Sequence, residues 1–410
     1  MNEKAVEAIQ RQIKNWLLSI VLPTKDDLGE GWSSPNKKLE TEILKSKSTW
    51  LTSRSVCALV LEALEDVCPE YLDFKGGRLS DRIDLDDAVH LILQRVLQVP
   101  CRYRVYFQLD MISSSQEFSF KLDNGMELAS HELFTVKGEA GLGLREHKNG
   151  RSYFYSVEVS GYISEKNDSR SGILSTAAEQ EAHGAAKLFL ERGLCAGVLR
   201  FKERMEMWMH PSGSSGVIYV HQYDDADRVE RRFSKALPQD FASVVRRVTF
   251  GIVSASDENG YRQLLESFLK ICYNDNDTAK SIRTASEWRL DSLSDPSDAM
   301  RLVKVCIGLE SIFGDQNNDS GLTRSLADRC AYSLALTHDE RASIIDNCRE
   351  LYQSRSKIVH GVANRLDDKG GDLLVFGDKI LSRAISRESG LLPAVKKDGI
   401  DFYGLRKKFR

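Results

Sequence analysis

The residues whose types and spacing hold chemical promise are Arg355 and His360, in the segment LYQSRSKIVHG over residues 351–361. An arginine carries a permanent charge on a fork of five donors, and a histidine changes charge near neutral pH. Spacing alone makes such a pair weak evidence. The surroundings are more specific. The pattern predicts a helix over 338–362, on which Ile344, Cys348, Leu351, Ile358, Val359 and Val362 form one broad apolar face. Arg355 falls near the middle of that face, where a guanidinium is costly to bury without a partner. Glu310 offers one, since it shares the stripe of Val303 and Ile307 on another helix. Two opposite charges, each on the apolar side of its own helix, face each other or line a shared cleft. The same Arg, Glu and His also suit a buried polar network that only fixes packing.

The elements that carry these residues follow from periodicity. After about residue 250 strand patterns stop, and helices are predicted at roughly 258–273, 278–292, 296–313, 322–336, 338–362 and 372–386. Asp295 before Pro296 reads as a cap ahead of a first-turn proline, and Thr337 with Glu340 as a capping box. Upstream, the first 20 or so residues form an amphipathic pattern through Ala5, Ile9, Ile13, Trp16, Leu17 and Ile20. The polar stretch from Thr24 to Lys47 reads as loop, and helical patterns return at 52–68 and 84–98. From Cys101 the period shortens to 2. CRYRVYFQLDMI, EFSFKLDNGMEL and RSYFYSVEVSGYIS read as antiparallel strands with turns at Asn124-Gly125 and Asn149-Gly150. A helix over about 177–193, opened by Thr176 and Glu179, and a strand from 216 follow. The expected class is α+β. A mixed α/β region with antiparallel strands fills 1–250, an all-helical domain 251–390, and a basic tail 391–410.

Composition narrows the function classes. The 410 residues hold 57 basic and 60 acidic side chains, so no global field draws the protein onto nucleic acid and any basic surface is local. Residues 379–410 hold nine basic and three acidic side chains, which makes the tail a candidate phosphate-contacting arm. Eight cysteines without a CxxC fit a reduced, cytoplasmic protein with no structural zinc. No stretch approaches the ~18 apolar residues of a membrane span. Asp81, Asp84, Asp86, Asp87 and His90 crowd the start of a predicted helix, where capping and dipole compensation explain them better than a metal does.

CIGLESIFG over 306–314, then ADRCAY over 327–332, then LYQSRSKIVHG together resemble the HEPN superfamily, with its ApeA-like branch as the closest match. The resemblance covers roughly residues 255–390. It implies a helical bundle that forms a homodimer and brings two Arg-x4-6-His motifs into one RNA-cleaving cleft, without metal or other cofactor. Many members are toxins or antiviral defence nucleases. Carried over, Arg355 contacts the scissile phosphate, and His360 acts as general acid or base on the 2′-hydroxyl and the leaving 5′-oxygen. Cyclic 2′,3′-phosphate and 5′-hydroxyl ends result. Ser356 stands where many members carry Asn, Asp or His. Glu310 and Tyr352 are supporting residues, with Glu310 orienting Arg355, and Lys357, Lys407 and Lys408 are candidate RNA contacts. Residues 1–250 are then a region that senses a trigger, binds a partner protein or positions the substrate. The alternative is a non-catalytic module of the same shape that binds RNA, nucleotide or a protein partner. Five residues of regular helix turn through about 500°, so Arg355 and His360 diverge by about 140°. Either Gly361 ends the helix and leaves His360 at the cap, or a second copy completes the cleft.

Overall fold

A computed structural model of the chain describes residues 2–22, 35–68, 76–111, 120–122, 125–130, 151–165, 176–203, 216–250, 258–314, 322–394 and 400–401. The chain divides into two compact units. One comprises Met1–Val105, Glu158–His183 and Tyr219–Lys235; the other comprises Tyr106–Val157, Gly184–Ile218 and Ala236–Arg410.

In the first unit, α1 (Glu3–Ser19), α2 (Lys37–Lys47), α3 (Ser53–Val67) and α4 (Leu85–Gln98) surround one apolar core. Each helix starts at a side-chain oxygen that accepts from the first-turn amides: Asn2, Asn36, Thr52 and Asp84. Ile9, Ile13, Trp16 and Leu17 form the buried face of α1. Helix α2 corrects the loop expected over 24–47. Its two buried anchors, Leu39 and Ile43, stand one turn apart among lysines, too few to register as a period. Asp84 accepts from the amides of Asp86 and Asp87, so this part of the acidic cluster serves the start of α4. Among the described residues no group of His, Cys, Asp or Glu is arranged to hold a metal.

The chain continues through β1 (Cys101–Met111), β2 (Phe120–Leu122), β3 (Glu127–Ser130), β4 (Arg151–Gly161), α5 (Ala177–Cys195), β5 (Leu199–Phe201), β6 (Val217–Tyr223), β7 (Val229–Ala236), α6 (Gln239–Arg247) and β8 (Val248–Phe250). It closes with β9 (Ile400–Asp401). Strand order is β5-β8-β1-β4-β3-β2-β9, with β6 hydrogen-bonded to β1 and to β7. The pairs β2–β3, β3–β4, β2–β9 and β5–β8 are antiparallel, whereas β1 and β8 run parallel with Asp110 opposite Thr249. Asn124 and the Asn149-Gly150 pair lie outside the described residues.

Among the described residues six helices follow β8: α7 (Glu258–Tyr273), α8 (Asp277–Ser294), α9 (Asp298–Phe313), α10 (Leu322–Leu334), α11 (His338–Val359) and α12 (Asp368–Leu391). The protein is thus α+β, with a helical region after the antiparallel strands. Tyr155 of β4 stacks on Phe189 of α5 at 4.5 Å, and Phe268 of α7 meets Phe189 edge-on at 6.0 Å, so apolar rings join sheet and helices in the second unit. The cap of α9 is Ser297 rather than Asp295. The Ser297 hydroxyl accepts from the Met300 amide, while the Asp295 carboxylate accepts from the Ser297 amide. At α11 Thr337 accepts from the Glu340 amide, but the Glu340 carboxylate takes the Leu336 amide and Arg383 instead of closing the box. All eight cysteines are free thiols.

Candidate functional site

Helices α9, α11 and α12 meet at a glycine. A Cβ on Gly377 of α12 would lie 2.9 Å from Val305 Cγ1 and 3.2 Å from Leu351 Cδ2, so only a bare backbone permits this approach. Ile344, Cys348, Leu351 and Tyr352 bury one face of α11. From within that packing the Tyr352 hydroxyl donates to the Cys306 carbonyl at 3.1 Å. About one turn further along both helices, Arg355 Nη2 stands 3.9 Å from Glu310 Oε1.

This pair is attracted but not hydrogen-bonded. The side chains of Arg355 and Glu310 are 34% and 24% exposed, so both reach solvent while their stems are covered. Arg355 donates to no described residue, and its Nε is enclosed without a partner. Burial pushes the Glu310 carboxyl above its ordinary value, against the pull of Arg355. Burial likewise pushes up the Tyr352 hydroxyl and the Cys306 thiol, with Glu310 adding to both, so each stays protonated and neutral. The result is a guanidinium with unspent donors beside a carboxylate poised above its usual range.

His360 occupies a different place. It is the C-cap of α11, exposed, and its amide returns to the Ser356 carbonyl at 3.0 Å. Gly361 adopts a left-handed φ of 71°. Its amide bonds the Ile358 carbonyl at 3.0 Å, and the Val362 amide bonds the Lys357 carbonyl at 2.8 Å, the paired closure of a Schellman motif. Among the described residues no hydrogen bond or ion pair links His360 to Arg355 or Glu310. Ser356 and Lys357 lie on the exposed side of α11. Lys407 and Lys408 fall outside the described residues. The structure therefore brings together Glu310, Tyr352 and Arg355, and sets His360 at the helix end.

A second polar cluster escaped the reading of the sequence. In the second unit Glu191 of α5, fully buried, accepts from Arg289 of α8 at 3.0 Å, from Arg192 at 2.5 Å and from the Cys195 thiol at 3.0 Å. Arg289 also grips Asp378 of α12 through two bonds, at 2.9 and 3.2 Å. Burial and Glu191 push the Cys195 thiol up to about 11. Two cations and two anions cancel, and the fork of Arg289 is spent on both carboxylates, which makes this a packing device. Its signal in the sequence was charge inside apolar runs, at Glu191 after KLFL and Arg289 before Leu290.

No protein-family model, curated protein or solved structure matches this chain.

Proposed function

We propose that the protein is a metal-independent endoribonuclease of the HEPN type, acting in an antiviral-defence or toxin-like role in the cytoplasm. The observation that carries this reading is Arg355. An arginine seated in an apolar stripe, 34% exposed, attracted to Glu310 at 3.9 Å but hydrogen-bonded to no described residue, keeps donors that an incoming anion can take. The transferred phosphate of RNA is such an anion. In the reaction the ribose 2′-oxygen attacks phosphorus, the 5′-oxygen departs, and Arg355 holds the charge that develops on the phosphoryl oxygens. His360 protonates the leaving oxygen.

Because His360 sits exposed at the C-cap of α11 and shares no hydrogen bond or ion pair with Arg355, the imidazole at a given Arg355 comes from a second copy of the chain. The apolar stripe of α11 supports this pairing. Val359 and Val362 continue it beyond the packed region and are 53% and 75% exposed. Residues 1–250 are then the region that responds to a trigger or partner protein.

The test is cleavage of total cellular RNA in EDTA by wild type, Arg355→Ala and His360→Ala. Wild type alone is expected to cleave, leaving cyclic phosphate ends, and equal cleavage by all three defeats the assignment. Mixing the two inactive variants should restore part of the activity, because one of the two Arg355–His360 pairs formed across a mixed dimer stays intact. The separation of His360 from Arg355 within one chain favours a second reading, a non-catalytic RNA-binding module. That reading requires RNA binding without cleavage by any form.

A further inference from the structure

Cleavage through a 2′-oxygen needs two proton transfers: one off the 2′-hydroxyl and one onto the leaving 5′-oxygen. Among the described residues, the ionisable side chain paired with Arg355 is Glu310, 3.9 Å away, whereas His360 sits at the C-cap with no hydrogen bond or ion pair to either residue.

Resting on the endoribonuclease reading, we propose that Glu310 is the general base of this site and takes the proton from the ribose 2′-hydroxyl. A contrast within the same helical region separates that role from simple charge pairing. Where an arginine and a carboxylate serve packing, they close to hydrogen bonds: Arg289 meets Asp378 at 2.9 and 3.2 Å and Glu191 at 3.0 Å. Arg355 and Glu310 stop short of bonding, and both keep an exposed edge. A phosphodiester bound by Arg355 would carry its adjacent 2′-hydroxyl within reach of the carboxylate. The charged group facing Glu310 among the described residues is Arg355, because the nearby Tyr352 hydroxyl and Cys306 thiol are held neutral by burial.

The step balances. The Glu310 carboxylate accepts the 2′-proton as the bond from 2′-oxygen to phosphorus forms and the bond from phosphorus to 5′-oxygen breaks. The departing oxygen takes a proton from the His360 imidazolium of the second copy, and no oxidant or further reactant enters. The base ends protonated and the acid neutral, ready to exchange protons with water.

The experiment is the pH dependence of kcat for the full-length protein on a defined RNA oligonucleotide, comparing wild type with Glu310→Gln and Glu310→Asp. Wild type should show an acidic limb on which kcat rises about tenfold per pH unit until the base ionises. Glu310→Gln should lose about 100-fold or more in kcat together with that limb, and Glu310→Asp should keep the limb at a reduced rate. A second readout is affinity for a 2′-deoxy oligonucleotide of the same sequence. Removing a negative charge beside the phosphate should leave binding by Glu310→Gln equal or tighter. Weaker binding, or an unchanged acidic limb, would show that Glu310 only orients Arg355 and overturns the proposal. An absence of cleavage by wild type at every pH defeats the endoribonuclease reading, and this assignment with it.

Discussion

The Tyr352 hydroxyl donates to the Cys306 carbonyl 3.1 Å away, and this bond fixes how far α9 is advanced along α11. Glu310 lies four residues beyond Cys306 and Arg355 three beyond Tyr352, so the same bond sets the distance between the two charges. Tyr352→Phe keeps the buried ring and removes the donor. It should cost about 1 kcal/mol of stability in urea denaturation. On the endoribonuclease reading, RNA cleavage should fall several-fold in kcat with KM little changed, since the site loses alignment rather than contact area.

Gly361 is a position where conformation alone decides the outcome. Its φ of 71° is unfavourable for any residue with a Cβ, yet an added Cβ would meet nothing within 4 Å. Gly361→Ala should therefore destabilise by about 1 kcal/mol through backbone strain, and Gly361→Asn by less, because asparagine tolerates the left-handed region. Thermal denaturation of the two variants gives the ranking, and equal losses would point to a steric cause instead.

Glu191 should govern acid sensitivity. Burial alone would raise its carboxyl, but Arg192 and Arg289 pull it below the ordinary 4.5. A carboxylate lowered on folding contributes stability that is present above the unfolded value and is lost as pH falls through the folded one. Glu191→Gln leaves two buried arginines short of a counter-charge and should cost about 3 kcal/mol at neutral pH. Denaturant midpoints measured from pH 7 downward should fall more gently below about 4.5 in the variant than in wild type.

His221, on β6 in the first unit, works over a different range. Burial, and then Arg232 and Arg104, push its imidazole down from 6.5 to about 4. The unfolded chain takes up a proton that the folded chain refuses, so stability is full above pH 6.5 and declines as pH drops from 6.5 toward 4. Replacing His221 with Gln should flatten the thermal midpoint across that interval. An unchanged slope would assign it to other groups.

The helical region was legible because its helices carry both periodicity and caps. Thr337 and Gly361 bound α11 within three residues of the expected 338–362. Arg355 and Glu310 were findable as charges on apolar stripes, a contradiction within each helix that the pairing of the two charges answers. Helix α2 was hidden because only Leu39 and Ile43, with the partly buried Leu44 beside them, are apolar in its eleven residues. The Glu191, Arg289 and Asp378 cluster was hidden for another reason. Its members lie 98 and 89 residues apart, and nothing in the local pattern near Asp378 shows which distant charge it must answer.

The closure at Gly361 separates two kinds of evolutionary freedom. The amides of Gly361, Val362 and Ala363 all return to the last turn of α11, so His360 is anchored by backbone bonds that end at Ala363. Insertions and deletions after that residue, before the Asp367 cap of α12, can accumulate without moving the imidazole. Diverging copies of this gene should accordingly vary in length across 364–366 while keeping the interval from Arg355 to Gly361 unbroken.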